Sequence, residues 1–272
     1  MSLVVNKGFA ERLEISEIDT LSSRLTEMGK IDGNPMKVHI QKFGNATAFS
    51  VKNIPGSSFN TVKGLKEGDQ KQIGKIIDFY KQKEIPVRFE LTPAHTSPEL
   101  LTHLSETGFY HNDFHTTLYA PLSNEEETSY EVNEQKILVR KLKLNEFDTF
   151  AKIYTKGFEM PAFLKIGIAQ NNEILYNIKN WTFYLASYEN EPAGIGVLFI
   201  KNQIATLAAA ATLPTFRNKG IQSALIKHRI NQAILQNCDL IIGQAKFGSV
   251  SQNNMERAGL SIAYTKAIWV EK

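Results

Sequence analysis

A single cysteine in 272 residues rules out a disulfide within the chain and any cysteine-rich metal centre. That residue, Cys238, stands at the end of an apolar helical pattern and just before a strand-like run. This is the setting of a buried structural thiol rather than a nucleophile, and the cysteine usage fits a reducing compartment. Long hydrophobic runs are also missing. No stretch approaches the ~20 apolar residues that span a bilayer, and the first residues, MSLVVNKGFAERLEI, lack the layout of a secretion signal. A cytoplasmic location without a membrane partner is therefore expected. Charge of one sign is scarce too. The 31 Lys and Arg against 28 Asp and Glu leave a formal net charge of +3, too little to argue for a nucleic acid partner.

What remains is ordinary core material. A hydrophobic share of 42% with 22% charged residues describes a globular chain, long enough for one large domain or two modest ones. The clearest boundary is residues 123–135, SNEEETSYEVNEQ, an acidic stretch with few apolar residues that reads as an exposed linker. It separates a first half, 1–122, from a second, 136–272.

The second half parses into alternating elements. Lys136–Leu144 alternates like a half-buried strand, and Asn145 is placed to cap the helix that follows. A second helical segment is expected from about Pro161 to Asn180. Trp181–Tyr188 and Ala193–Ile200 then form a hairpin across a Glu-Asn-Glu-Pro turn. Gln203–Leu213 is a strand, the segment after Gly220 a long amphipathic helix, and Asp239–Ala245 a buried strand. Ser251 is a candidate cap for a short helix ending at Gly259, and a last strand covers Ser261–Val270. The first half ends alike: a helix over Asp69–Glu84, a strand over Pro86–Pro93, a helix opened by Ser97-Pro98-Glu99, and a strand over Phe114–Leu122. The same order of elements thus occurs twice with little residue identity, at a separation of roughly 150 residues.

The most informative stretch is Thr212–Arg229, TLPTFRNKGIQSALIKHR. An apolar strand runs into a short basic loop, and Gly220 leads into a helix. The first amides of a helix have no partner within it, and its dipole is positive there, so this is a place to hold a phosphate. Arg217 and Lys219 add charge, and Lys201, Lys227, His228 and Arg229 extend a basic face.

In this context the second half resembles the GNAT family of acyl-CoA N-acyltransferases. The family's cofactor loop reads Gln/Arg-x-x-Gly-x-Gly/Ala, and here the residues are Arg217-Asn218-Lys219-Gly220-Ile221-Gln222, with Gln222 where Gly or Ala is usual. The whole chain is similar to tandem bacterial GNAT proteins in which a degenerate first copy precedes a cofactor-binding second copy. The resemblance implies an α/β fold of two such domains, each a mixed, mostly antiparallel sheet flanked by helices. It implies acetyl-CoA as co-substrate, held at its pyrophosphate by the backbone of Arg217, Asn218, Lys219, Gly220, Ile221 and Gln222. The pantetheine arm would run along Ala210, Ala211 and Thr212, with Ser251 and Asn254 as further contacts. The acceptor it implies is the amine of a small molecule, and no metal takes part.

Aminolysis of a thioester needs a neutral amine and a proton for the departing thiolate. The Tyr that many family members hold four residues before the closing Gly is Met255 here, and the Asn often found near the start of that segment aligns with Gly248. Tyr264 is the substitute acid and Glu159 the candidate base. In the first half the corresponding loop is Leu65-Lys66-Glu67-Gly68-Asp69, whose carboxylates oppose a pyrophosphate, so no cofactor is expected there. The histidines at 95, 103, 111 and 115 straddle a helix and a strand and form no ligand spacing. Met255 also leaves open a CoA-binding regulator or sensor without transfer, and an aminoacyl transferase is a third reading. Oligomeric state, monomer or homodimer, is not encoded in any of these motifs.

Overall fold

The computed structural model describes residues 4–54, 56–123 and 136–272. The acidic stretch lies, from residue 124 on, outside the described residues. In chain order the elements are α1 (Lys7–Gly29), β1 (Val38–Phe43), β2 (Ala46–Val51), β3 (Thr61–Lys63), α2 (Gln70–Lys81), β4 (Arg88–Leu91), α3 (Pro98–Glu106) and β5 (Phe109–Pro121). After residue 136 follow β6 (Ile137–Lys141), α4 (Phe147–Gly157), α5 (Lys165–Glu173), β7 (Trp181–Tyr188), β8 (Glu191–Lys201), β9 (Ile204–Thr212), α6 (Ile221–Leu235), β10 (Leu240–Lys246), α7 (Val250–Arg257) and β11 (Ser261–Glu271). The repeated series is α2-β4-α3-β5 and α6-β10-α7-β11.

By compactness the chain forms two units. Unit 1 is Met1–Thr117 with Ala245–Phe247 and Ile262–Lys272; unit 2 is Leu118–Gln244 with Gly248–Ser261. The strand that ends the second series thus completes the first unit. In unit 1 the strands run β1-β2-β3-β4-β11-β5. β3 and β4 are parallel, and β11 pairs antiparallel with β4, Ile268 opposite Glu90. α2 and α3 place Ile73, Ile76, Phe79, Leu100 and Leu104 on Val62, Phe89 and Phe109. Ser97 caps α3 as its sequence predicts, its hydroxyl accepting from Leu100 N–H.

The long helix α1 has no clear apolar stripe, and the reason lies inside unit 1. It turns Glu14, Ser16 and Glu17 inward along with Leu13 and Leu25. The Glu17 carboxylate takes Lys266 Nζ at 2.5 Å, Lys63 Nζ at 3.2 Å and the Thr117 hydroxyl at 2.7 Å. Glu90 takes the same two ammonium groups, at 2.9 Å and 2.5 Å, together with Arg88. Lys266 is 1% exposed and Glu17 2%. Charges this deep survive only when every one is paired and hydrogen-bonded. The cluster joins α1, β3, β4, β5 and β11 around one point.

Unit 2 orders its strands β10-β9-β8-β7-β6. All neighbours are antiparallel except β10 on β9. The β7–β8 turn is tighter than its Glu-Asn-Glu-Pro sequence implies, because only Glu189 and Asn190 turn the chain, both at positive φ (48° and 70°). Asn145 does not cap α4. It sits within a 3-10 turn, and the Glu146 carboxylate accepts Lys143 N–H at 2.8 Å instead. The bidentate hydrogen bond from Arg140 holds that carboxyl down at about 2. α5 is shorter than its pattern, ending at Glu173. α4 lays Phe147 and Phe150 on Phe183, with ring centroids 5.2 Å and 5.5 Å away. Cys238 is buried, and burial raises its thiol to about 11, consistent with a structural role.

Burial alone would raise Glu17 and Glu90, but the charges of Lys266 and Lys63 overcome it and hold both below the usual carboxylate range. A carboxyl lowered on folding adds stability that is present above the unfolded value and lost as pH falls through the folded one. Lys266→Met leaves two buried carboxylates short of a cation and should cost about 3–5 kcal/mol in urea unfolding at neutral pH. The deficit should shrink as the pH drops below the ordinary carboxylate range, where the wild type loses the same term. A deficit unchanged down to the acid transition would contradict the assignment.

Candidate active site

Within unit 2, the parallel register of β10 on β9 ends at Gly243 opposite Leu207. β9 continues to Thr212, still paired on its other side with β8. From Ala208 to Thr212 one edge of β9 has therefore lost its β10 partner, and this is the segment expected to carry a pantetheine arm. The β8 register also slips here. Val197 faces Ala209 and Leu198 faces Leu207, so Ala208 is the extra residue of a β-bulge. Bulges redirect backbone groups, and this one lies at the start of the free edge. At the far end the Thr212 hydroxyl is buried without a hydrogen-bond partner. An unmet polar atom there is a feature that a bound ligand would satisfy.

The chain then turns through Pro214–Phe216 and reaches α6. Asn218 has φ 62° and Gly220 φ 84°, the left-handed conformation that releases the helix start toward solvent. Arg217 N–H bonds to Pro214 C=O and Ala224 N–H to Gly220 C=O. The first-turn amides between them have no acceptor within the helix. Arg217, Asn218, Lys219 and Gly220 are exposed, Gln222 half-buried, and Ile221 buried beneath them. Lys219 Nζ stands 4.6 Å from the Tyr188 ring centroid and 5.1 Å from that of Phe216, a cation on an aromatic pair. A short turn, Pro214–Phe216, joins Ala210–Thr212 at the end of β9 to the six loop residues within unit 2.

Glu159 belongs to the same surface. It follows α4 at φ 55°, and its carboxylate accepts from both Arg217 Nη atoms at 3.3 Å. Arg217 Nη2 also donates to Gly157 C=O at 3.1 Å. Both partners are largely exposed, so the pair is a weak tie rather than a brace. Tyr264 belongs to unit 1 and is 9% exposed, its hydroxyl buried. Burial, reinforced by the Glu17 charge, pushes its phenol well above the usual range. Ser251 is exposed in the first turn of α7, and the cap is Ser249, whose hydroxyl accepts from Gln252 N–H. Asn254 accepts from Arg257 Nη1 at 3.1 Å. Met255 is buried, filling the space over Gly243, where a Cβ would meet its sulfur at 2.3 Å.

Arg229 departs most from the basic surface face read in the sequence. It is 1% exposed. Its Nε donates to Leu225 C=O at 2.9 Å, and Nη1 donates to Val197 C=O at 3.2 Å and Ala209 C=O at 3.1 Å. Burial lowers the guanidinium to about 10, so it stays charged at neutral pH. Gly196 makes room for it, since a Cβ there would lie 3.1 Å from Arg229 Nε. Gly194 does the same for Ile221, 2.6 Å from a Cβ.

Gly157 is a further residue that sequence patterns pass over. A Cβ there would meet the Ala211 Cβ at 2.8 Å and the Thr212 carbonyl at 3.2 Å. The end of α4 thus presses directly on the free segment of β9. The Gly194-x-Gly196 spacing on β8 was a signal for close helix approach, but a glycine ending a helix is too common to mark contact. Gly157→Val should cost about 1–3 kcal/mol through overpacking. Because the displaced atoms belong to Ala211 and Thr212, the amide signals of those residues should shift most in an NMR comparison. Shifts confined to α4 would show that β9 does not feel the position.

Residues 148–256 match the family model described as Acetyltransferase (GNAT) family. No curated protein matches the chain in sequence. Among solved structures, a GCN5-related N-acetyltransferase from Kribbella flavida aligns over 96% of this chain and 95% of its own at 12% identity, with a TM-score of 0.66. A tandem GNAT protein from the clavulanic acid biosynthesis pathway aligns over 95% and 94% at 9% identity, TM-score 0.60. A conserved protein of unknown function from Staphylococcus epidermidis aligns over 90% and 98% at 14% identity, also with a TM-score of 0.60. At such identities the likeness is one of fold, and it runs nearly the length of each chain. The parted strands, the bulge and the glycine-led helix start all fall inside the matched segment, and residues 148–256 are a domain of the acetyltransferase (GNAT) family.

Proposed function

We propose that this protein transfers an acetyl group from acetyl-CoA to the amine of a small acceptor, in unit 2. The observation that carries the reading is the continuity of two free donor sets: the unpartnered edge of β9 at 208–212 and the first-turn amides of α6 behind Gly220. A diphosphate suits the second and an extended amide-bearing arm the first. The thioester, when bound, supplies the acyl group and a fair leaving group. The amine would attack the thioester carbonyl carbon, the C–S bond would break, and the thiolate would take a proton while the new amide loses one. Positioning supplies much of the rate in such a reaction. Glu159, beside the loop, is the proposed proton acceptor, working through water at an exposed site.

Unit 1 is proposed to bind no cofactor. One of its loop amides is already taken by the loop's own carboxylate: Asp69 accepts Lys66 N–H at 3.1 Å, and also accepts Asn45 N–H at 3.4 Å from outside the loop. The division 1–122, 123–135 and 136–272 is retained as the proposed history of two copies, one with the loop and one without. A second reading, a CoA-binding sensor without transfer, is favoured by one observation. Buried Met255 offers no hydroxyl where the family resemblance implies a Tyr.

Titration calorimetry with acetyl-CoA is the first test. The wild type should bind, and Arg217→Glu or Gly220→Glu should weaken binding at least about tenfold by placing a carboxylate at the positive helix start. No heat with the wild type, or variants that bind equally, defeats the cofactor assignment. Thiol release across an amine panel then separates transferase from sensor, which gives background rates throughout.

Glu159→Gln should lower turnover by about 10²-fold with cofactor affinity retained, the usual size of a general-base contribution. Tyr264→Phe is expected to leave turnover unchanged, because a buried phenol with a raised pKa is a poor proton donor. Loss of turnover in Tyr264→Phe, with binding intact, would return the acid to that residue.

A further inference from the structure

We infer that Arg229 is a positioning residue that strengthens one backbone donor, the Ala210 N–H, at the free edge of β9. The inference rests on the acetyl-CoA reading above and adds the source of the polarisation at the thioester. One nitrogen, Nη1, reaches both Val197 C=O and Ala209 C=O. These residues sit opposite each other on β8 and β9 at the bulge. For both oxygens to meet one atom, both carbonyls must turn into the seam between the two strands. The peptide joining Ala209 to Ala210 is planar and trans, as are all peptide bonds among the described residues. Its N–H therefore points opposite to its C=O, away from β8 and toward the edge that β10 leaves after Leu207.

That geometry makes a relay of charge. A buried cation donates to the Ala209 carbonyl, the peptide polarises, and its N–H becomes a stronger donor. No carboxylate accepts from Arg229 among the described residues; its recorded acceptors are the three carbonyls of Leu225, Val197 and Ala209. The cation is not neutralised by a counter-ion in contact, so its field acts on the peptides it touches. Burial makes that field stronger than at a surface. Negative charge developing on a thioester oxygen as the amine attacks is the charge such a donor serves. Nothing in this requires Arg229 to touch the ligand. A bulge braced only for shape would need donors to two carbonyls, not a permanent charge, and the two roles can be separated.

Arg229→Gln keeps amide donors and removes the charge, and Arg229→Lys keeps the charge. Acetyl-CoA carrying a 13C label at the thioester carbonyl reports polarisation through its infrared band. On the wild type the band should fall in frequency on binding. Arg229→Gln should bind the cofactor yet lose much of that fall, and thiol release at saturating acetyl-CoA should drop about tenfold, short of the loss from deleting an oxyanion donor outright. Arg229→Lys should recover most of the shift. An unchanged band in Arg229→Gln overturns the inference and leaves the cofactor reading intact, whereas a wild type that does not bind acetyl-CoA overturns both. Should the Gln variant not fold, the wild type still answers. Its Ala210 amide proton should resonate downfield of those of Ala211 and Thr212, and an ordinary position for it defeats the proposal.

Discussion

The parting of β9 from β10 after Leu207 is the constraint on which the site depends. Backbone donors and acceptors must be met by protein, water or ligand, and a strand that loses a neighbour keeps a row of them open. In an edge strand this is a liability; along small side chains at the mouth of a helix start it is a template for an extended ligand. The run Leu207-Ala208-Ala209-Ala210-Ala211 removes the side chains that would crowd such a ligand. The bulge at Ala208 sets where the open row begins, and Gly220 sets where it is continued by α6.

Keeping that edge in place requires close packing from both faces of the sheet. On one face Gly157 lets the end of α4 rest against Ala211 and Thr212. On the other, Gly194 and Gly196 let α6 settle so that Ile221, Leu225 and Arg229 lie on β8. The glycines are thus selected by contact, not by turn geometry, because none of the three has a positive φ. The helix that presents the amides at its start is the same helix that inserts a guanidinium at the bulge. A shift of α6 would therefore move the proposed diphosphate cradle and the Arg229 contacts together.

The sequence made the elements of the second half legible because its strands alternate or run apolar and its turns carry glycine, asparagine and proline. The proposed cofactor loop stands out for the same reason: Arg217-x-x-Gly220 lies between a strand and a long helix. Arg229 departs from its sequence pattern, since a basic residue on an otherwise amphipathic helix is normally solvated and this one is buried. Only tertiary structure reveals that Gly196 opens a space for it. The cap of α7 is Ser249 rather than Ser251, two serines that lie within two residues of each other at the same helix start. Helix α1 carries no helical signature in the sequence, because Glu14, Ser16 and Glu17 occupy its inward face and erase the periodicity that marks a helix.

That erased periodicity has its own explanation. Lys63, Lys266, Glu17 and Glu90 come from positions that no local pattern connects, and they are intelligible only as a set. An apolar replacement of all four would often be as stable, so stability alone does not account for them. Their pairing demands one register: Lys266 reaches both carboxylates only while Ile268 stands opposite Glu90 on β4. A one-residue slip of β11 would turn Lys266 to the other face and leave Glu17 and Glu90 buried with one cation fewer. The cluster therefore fixes the register of a strand that arrives from the far end of the chain, where turn geometry cannot. Unit 1 is specified by charge pairing at its centre, and unit 2 by glycine-permitted contact around an open edge.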